Sequence, residues 1–189
     1  SVLQNRGVAT MQTVPYTGLS DCGSYNGQQS WANEASNHKI QYWRKVQATS
    51  ANALKSLLAD NIPIIFGARL ADNFMPWNSN AVLSSSSSFQ NVGQHAYHAM
   101  VLAGYDDNKG AGAFKVINSW GTGWGAQGYI WIDYNFFMNE FCRNSAGDRP
   151  LFIAANKGGD ITPPDDPDPT VTGVDLAAWV FDDYADGFY

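Results

Sequence analysis

His98-Ala99-Met100-Val101-Leu102-Ala103-Gly104-Tyr105 and, after a short gap, Phe114-Lys115-Val116-Ile117-Asn118-Ser119-Trp120-Gly121-Thr122-Gly123-Trp124-Gly125-Ala126-Gln127-Gly128-Tyr129 form the stretch from which this chain is read. Ala99, Val101 and Ala103 alternate with Met100, Leu102 and Gly104, the period of two that marks a strand. Phe114 to Ile117 resumes the β pattern after Lys109-Gly110-Ala111-Gly112, so the two runs predict a hairpin with a Gly-containing turn. A His stands where the first run begins and an Asn where the second ends. That layout brings an imidazole and an amide to one edge of a sheet, the base-and-orienter half of a nucleophilic triad. Read only as packing, the same residues are a Gly/Trp-rich loop that closes a barrel.

The rest of the chain sets the frame. Its 189 residues fit one domain plus an appendage. A content of 44% hydrophobic and 15% charged residues, with seven Trp, nine Tyr and ten Phe, suits a folded core with large buried surfaces. No run of apolar residues is long enough for a membrane span, so no transmembrane segment is expected. Without an initiator Met or a signal peptide, the expectation is a mature, trimmed or engineered product. Charge is uneven: from Asp160 to Tyr189 there are eight Asp and no Lys or Arg, while the remainder holds 11 basic and 9 acidic residues. The net −6 therefore belongs to the tail, and nothing resembles a nucleic-acid face.

In chain order, Ser1 to Arg6 reads as the end of a helix stopping near Gly7, and Ser20 to Asn37 as loop or short helix. Lys39 to Gln47 reads as a strand. Ser50 to Asn61 is a helix with Ser50 as N-cap and Leu54, Leu57 and Leu58 as its apolar stripe. Ile62 to Leu70 is a buried strand, Phe74 to Val92 an irregular loop, and the five serines Ser84 to Ser88 a solvated loop tip. Tyr129 to Tyr134 predicts a strand, a loop runs from there through Cys142, and Leu151 to Ala155 is the last strand. The composition then changes. Residues 1–158 make the domain, and residues 159–189 an acidic, Pro-rich linker with an aromatic tail. The tail's Asp clusters (Asp165, Asp166, Asp168; Asp182, Asp183, Asp186) lack the loop of a calcium site, so no metal or other cofactor is called for.

The hairpin closely resembles the papain-like cysteine peptidases. The family pattern is a His followed by small and apolar residues and then G-Y, and downstream N-S-W-G-x-x-W-G-x-x-G-Y, here His98 to Tyr105 and Asn118 to Tyr129. The resemblance implies an α+β, papain-like fold, mainly the antiparallel β-barrel second lobe with a remnant of the helical lobe. It implies that His98 is the base and acid and Asn118 the orienter. Trp120 lies over the His–Asn bond and keeps water off it, and Trp124 supplies part of the leaving-group side of the cleft. Gly67, Ala68, Ala96 and Tyr97 fall along the wall of the main specificity pocket, with a peptide or protein as substrate. His95 and His38 are expected to be a loop His and a solvated one. The family's setting, with few Lys and many Asn, Ser, Gly and Trp here, leads to an extracytoplasmic expectation: secreted, periplasmic or on a bacterial surface.

The nucleophile is what the motif lacks. In the family it is a Cys in Q-x-x-x-C-G-S-C-W at the start of a long helix, upstream of a Y-P-Y-x-G turn. Val14-Pro15-Tyr16-Thr17-Gly18 resembles that turn, so the chain starts after that segment and the Cys is expected on a complementary N-terminal chain or segment. Cys22-Gly23-Ser24-Tyr25 and Gln29-Ser30-Trp31-Ala32 resemble pieces of the Cys motif, but no long amphipathic helix follows either. Cys22 and Cys142 leave one disulfide, bridges to other segments, or none all open. Three functions follow: the His/Asn-bearing part of a cysteine endopeptidase, inactive alone; a non-catalytic papain-fold subunit of a larger assembly; or a whole enzyme with Cys22 as nucleophile.

Overall fold

The computed structural model describes residues 1–14, 29–93 and 96–156. The elements are α1 (Val2–Asn5), α2 (Gln29–Ala35), β1 (Ile40–Lys45), α3 (Ala51–Ala59), β2 (Ile64–Arg69), β3 (Val82–Leu83), β4 (Tyr97–Asp106), β5 (Ala113–Ile117), β6 (Tyr129–Asp133), α4 (Tyr134–Phe136) running into a π-helical turn (Phe137–Phe141), and β7 (Leu151–Asn156). The strands follow the order β1-β7-β2-β4-β5-β6-β3. The pairs β2–β7, β2–β4, β4–β5 and β5–β6 are antiparallel, and β3–β6 is parallel. This is the α+β class expected. The boundary at residues 158 and 159, the tail, His95, Cys22 and the segment around Tyr16 lie outside the described residues.

Two compact units divide the chain, one of Ser1–Trp43 resuming at Ala154, the other Arg44–Ile153. In the first, α1 ends at Gly7, where φ is +83° and an added Cβ would stand 1.9 Å from the Ala35 carbonyl oxygen at the end of α2. Only glycine supplies both the left-handed backbone and the close approach. Val8 N–H then donates to the His38 carbonyl (3.1 Å), and Thr10 N–H to the Glu34 carboxylate (3.0 Å). His38 is exposed, as expected.

The second unit holds the hairpin. Ser50 caps α3, its hydroxyl accepting from Ala53 N–H, and Leu54 is fully buried. Lys55 on the same helix reaches Asp107 in the hairpin turn (2.6 Å), and Asp107 also accepts from the Tyr134 hydroxyl (2.9 Å). One carboxylate so joins helix, turn and α4. Ile64, Phe66 and Ala68 of β2, Met100 and Leu102 of β4, Phe114 and Val116 of β5, and Ile130 and Ile132 of β6 are buried. Every second residue of each strand points to this core. Phe137 meets Phe66 edge-on with centroids 4.9 Å apart.

Three local expectations change. The segment from Tyr134 to Phe141 is helical, not loop: the Asp133 side chain accepts from Phe136 N–H (2.9 Å) and starts the turn, which buries Phe136, Phe137, Met138 and Phe141. The loop from Phe74 to Val92 contains β3, which pairs with Trp131 and Ile132. The serine run is mostly exposed but is not merely a solvated tip. Asp72 accepts from the Ser88 hydroxyl, from Gln90 N–H (3.2 Å), from Asn91 N–H (2.8 Å) and from the Asn91 amide (3.1 Å). Asn73 and Ser87 exchange hydrogen bonds of 2.9 and 3.2 Å, and the Asn73 amide donates to the Ser85 carbonyl. Asp72 and Asn73, shortly after β2, clasp the whole loop.

Two measurements test this packing. Phe66→Ala removes a fully buried ring, and chemical denaturation is expected to show a loss of about 3–5 kcal/mol. The Ser88 hydroxyl, then the Asn91 and Gln90 N–H groups, hold the Asp72 carboxyl below the usual carboxylate range. A depressed folded value means that the clasp is fully formed above the unfolded Asp value and is lost as pH falls through the folded one. The Gln90 and Asn91 amide resonances should therefore move together only at pH below the ordinary Asp range. Movement within that range contradicts the clasp.

Candidate active site

His98 is the second residue of β4 and pairs across β2 with Ala68. On the other side β4 pairs with β5, Val101 opposite Ile117. Continuing that register one step sets Asn118 beside Met100, on the face shared by His98. The side chains close the diagonal: His98 Nε2 lies 2.8 Å from Asn118 Oδ1. Asn118 is buried, at 7% exposure, and its N–H donates to the Gly128 carbonyl (3.0 Å).

The chemistry of that contact is fixed by a third group. Ser119 N–H donates to the same Asn118 Oδ1 (2.8 Å), so the amide oxygen, not the nitrogen, faces His98. An oxygen acceptor requires the proton on His98 Nε2. In the neutral ring Nδ1 is then the unprotonated nitrogen, the one that can take a proton from an acidic partner. The orienting arrangement has a cost, since Asn118 Nδ2 is buried without a hydrogen-bond partner among the described residues. Such an orphan costs about 1–3 kcal/mol.

Aromatic rings enclose the pair on one side. The Trp120 ring lies 5.0 Å from the His98 ring, tilted by 30°. Trp120 and Trp124 meet edge-on at 5.4 Å, and Phe74 touches both, at 5.7 Å and 4.9 Å. Trp124 Nε1–H donates to the Met75 carbonyl (3.1 Å), and Gly125 N–H to the Trp77 carbonyl (2.9 Å). The segment after β2 therefore holds the tryptophan loop at three points. Phe74 and Met75 carry no sequence signal of their own: Met75 acts through its carbonyl, and Phe74 lies in a stretch without periodicity. Ser119 and Gly128 stand in the motif, but the pattern does not give their roles, which backbone atoms carry.

The residues implied for the pocket wall do not all share one face. Ala68 is fully buried on the core face with His98. Gly67 lies on the opposite face with its partner Ala99, together with the pair Arg69 and Tyr97. Ala96 precedes β4 and accepts from Leu70 N–H (2.7 Å). Cys142 is a free, buried thiol, which burial pushes up to about 12. A thiol so raised is an inert core residue rather than a nucleophile. Among the described residues no three His, Cys, Asp or Glu side chains gather as a metal site would need, and no helix is long and apolar enough to cross a membrane.

Comparison with known proteins now gives the class. The family model of the papain family cysteine proteases matches residues 1–145, and the chain belongs to that family. A cathepsin L-like proteinase of Fasciola hepatica is 30% identical over 128 residues, which cover 68% of this chain and 36% of the relative. Cathepsin K of Mus musculus is 28% identical over 143 residues, 75% of this chain and 40% of the relative. The chain thus spans well under half the length of these relatives. Among solved structures, xylellain, a cysteine protease from Xylella fastidiosa, superposes with a TM-score of 0.60 at 24% identity, over 82% of this chain and 59% of that one. The bromelain protease from Ananas comosus, in complex with the E64 inhibitor, gives 0.55 at 21% identity, over 82% and 66%. These likenesses establish the papain-like fold.

Gly125 offers a direct test of the loop that carries Asn118. Its φ is +61°, and an added Cβ would stand 2.3 Å from the Tyr129 carbonyl oxygen, whereas nothing lies within 4 Å of one at Gly123. The backbone strain alone is worth about 1–3 kcal/mol. Thermal denaturation followed by Trp fluorescence should show a clear loss for Gly125→Ala and almost none for Gly123→Ala.

Proposed function

We propose that this chain is the His/Asn-bearing part of a papain-family cysteine endopeptidase, and that it hydrolyses peptide bonds once a thiol from a complementary N-terminal segment faces His98. The observation that supports this most is the lock on the base: Ser119 N–H fixes the Asn118 oxygen, and that oxygen fixes the His98 tautomer. In this reading His98 Nδ1 takes the thiol proton, the thiolate attacks the amide carbonyl, and the imidazolium returns the proton to the leaving amine. Asn118 holds the ring plane and Trp120 shields the bond between them. Trp124 and the Gly67, Tyr97 face border the substrate. The setting is extracytoplasmic, and no cofactor takes part. Residues 1–158 form the peptidase portion and residues 159–189 an appended acidic tail.

Cys142 cannot supply the thiol, being buried and raised, and the sequence after Cys22 lacks the long amphipathic helix that carries the family's nucleophile. The purified 189-residue chain alone should therefore neither cleave peptides nor be labelled by a thiol-directed epoxide. Intact-mass and N-terminal analysis of active material should find a second segment of the type Q-x-x-x-C-x-x-C-W. In that material His98→Ala should lower kcat by roughly 10²–10⁴, the span of general acid–base catalysis, and Asn118→Ala by less. Epoxide labelling of the isolated chain, or full activity of His98→Ala, would sink the reading.

A further inference from the structure

A cavity of about 380 Å³ is bordered by Arg69, Ser86, Phe89, Tyr97, Glu140 and Arg143 among others. Arg69 and Tyr97 are cross-strand partners, and Arg69 is two residues beyond Gly67 on the same face. These two wall residues therefore share the strand face of Gly67 and Ala99, opposite that of His98.

We propose that this cavity is a subsite for an acidic side chain of the substrate, with Arg69 as its specificity-determining residue; this rests on the peptidase reading above. Arg69 is exposed, with its guanidinium carbon 4.0 Å over the centre of the Phe89 ring. Among the described residues it makes no ion pair. A planar guanidinium held over an aromatic face keeps its N–H fork in one plane, ready for a bidentate carboxylate. Phe89 is itself held on both sides, because Ser88 and Gln90 each donate to Asp72. The serine loop thus presents the ring that fixes the arginine.

The other charges in the wall do not compete equally. Arg143 is committed to backbone carbonyls, donating to Met138 (3.1 Å), Cys142 (2.7 Å) and Asn139 (2.6 Å). Its charge nonetheless adds to the field. Glu140 opposes it, so the wall carries two guanidinium groups against one carboxylate. A neutral or basic side chain finds no partner at Arg69.

The test uses the 189-residue chain and calorimetry. Two acetylated and amidated peptides differ only in one Glu or Gln, and a third carries Gln with a free C-terminal carboxylate. The expected result is at least tenfold tighter binding of the Glu peptide. That preference should vanish in Arg69→Gln, weaken in Phe89→Leu and in high salt, and persist or grow in Glu140→Gln. Equal binding of the blocked pair, binding of neither, a preference that survives Arg69→Gln, or tightest binding of the free C-terminus would each overturn the proposal. The two readings fail separately. A chain that prefers Glu but gives no activity with its complementary segment keeps the subsite and loses the peptidase. Active material with no acidic preference loses the subsite alone.

Discussion

The register of β4 against its two neighbours is the constraint on which the site depends. Near the hairpin turn Tyr105 faces Phe114 and Gly104 faces Lys115, but at the other end Val101 faces Ile117. The pairing shifts by one between Leu102 and Gly104, leaving Ala103 as the extra residue of a bulge. Without that shift the turn-end register would carry through, and Asn118 would face Val101 rather than Met100. A slip of one residue turns a side chain to the other face. Asn118 would then lie on the side of Ala99 and Val101, away from His98. The bulge is what lets a tight turn and a His–Asn contact coexist in one hairpin.

The second support is the segment directly after β2. Leu70 and Ala71 are buried, and Phe74 fills the space between Trp120 and Trp124. Two residues earlier Asp72 clasps the loop that leads back to β4. A short run of chain thus ties three things together: the end of β2, the tryptophan loop after Asn118, and the approach to His98. Each tie is a hydrogen bond to a fixed backbone group or a ring contact in a dense interior. Movement at one is felt at the others, because close-packed interiors transmit strain.

Much of this is legible in the sequence, and the gaps have physical causes. The period of two in β2, β4 and β6, the Ser50 cap and the glycine-punctuated tryptophan motif all express local rules, and each marks its element. The two-residue β3 leaves no such mark, since what stabilises it is a pairing with Trp131 and Ile132 far along the chain. The turn from Tyr134 to Phe141 reads as loop because two helical pieces of three and five residues are too short for a period to repeat; Asp133, three residues before Phe136, is the capping signal available. The serine run misleads through composition. Its residues are mostly exposed, yet their hydrogen bonds go to Asp72 and Asn73, an order that composition cannot express. At the site, His98 and Asn118 follow from pattern. Ser119 stands in the same motif, but its role does not follow from it, because it acts through a backbone N–H that every residue but proline has.

The nature of the orienting group bears on what His98 can do. Asn118 is a neutral amide, so it sets the ring plane and the tautomer without adding a charge that would hold the ring protonated. In the proposed mechanism the charge that stabilises an imidazolium must then come from the partner, a thiolate formed by the same proton transfer. That partner has to stand in a partly open, polar setting, where the ion pair is worth more than the neutral pair. Cys142 has the opposite surroundings: zero exposure, and a thiol that burial drives up despite the positive charges of Arg143 and Arg149. Cys142 is thus a core residue, while the His98 ring is held in one tautomer by the Asn118 oxygen.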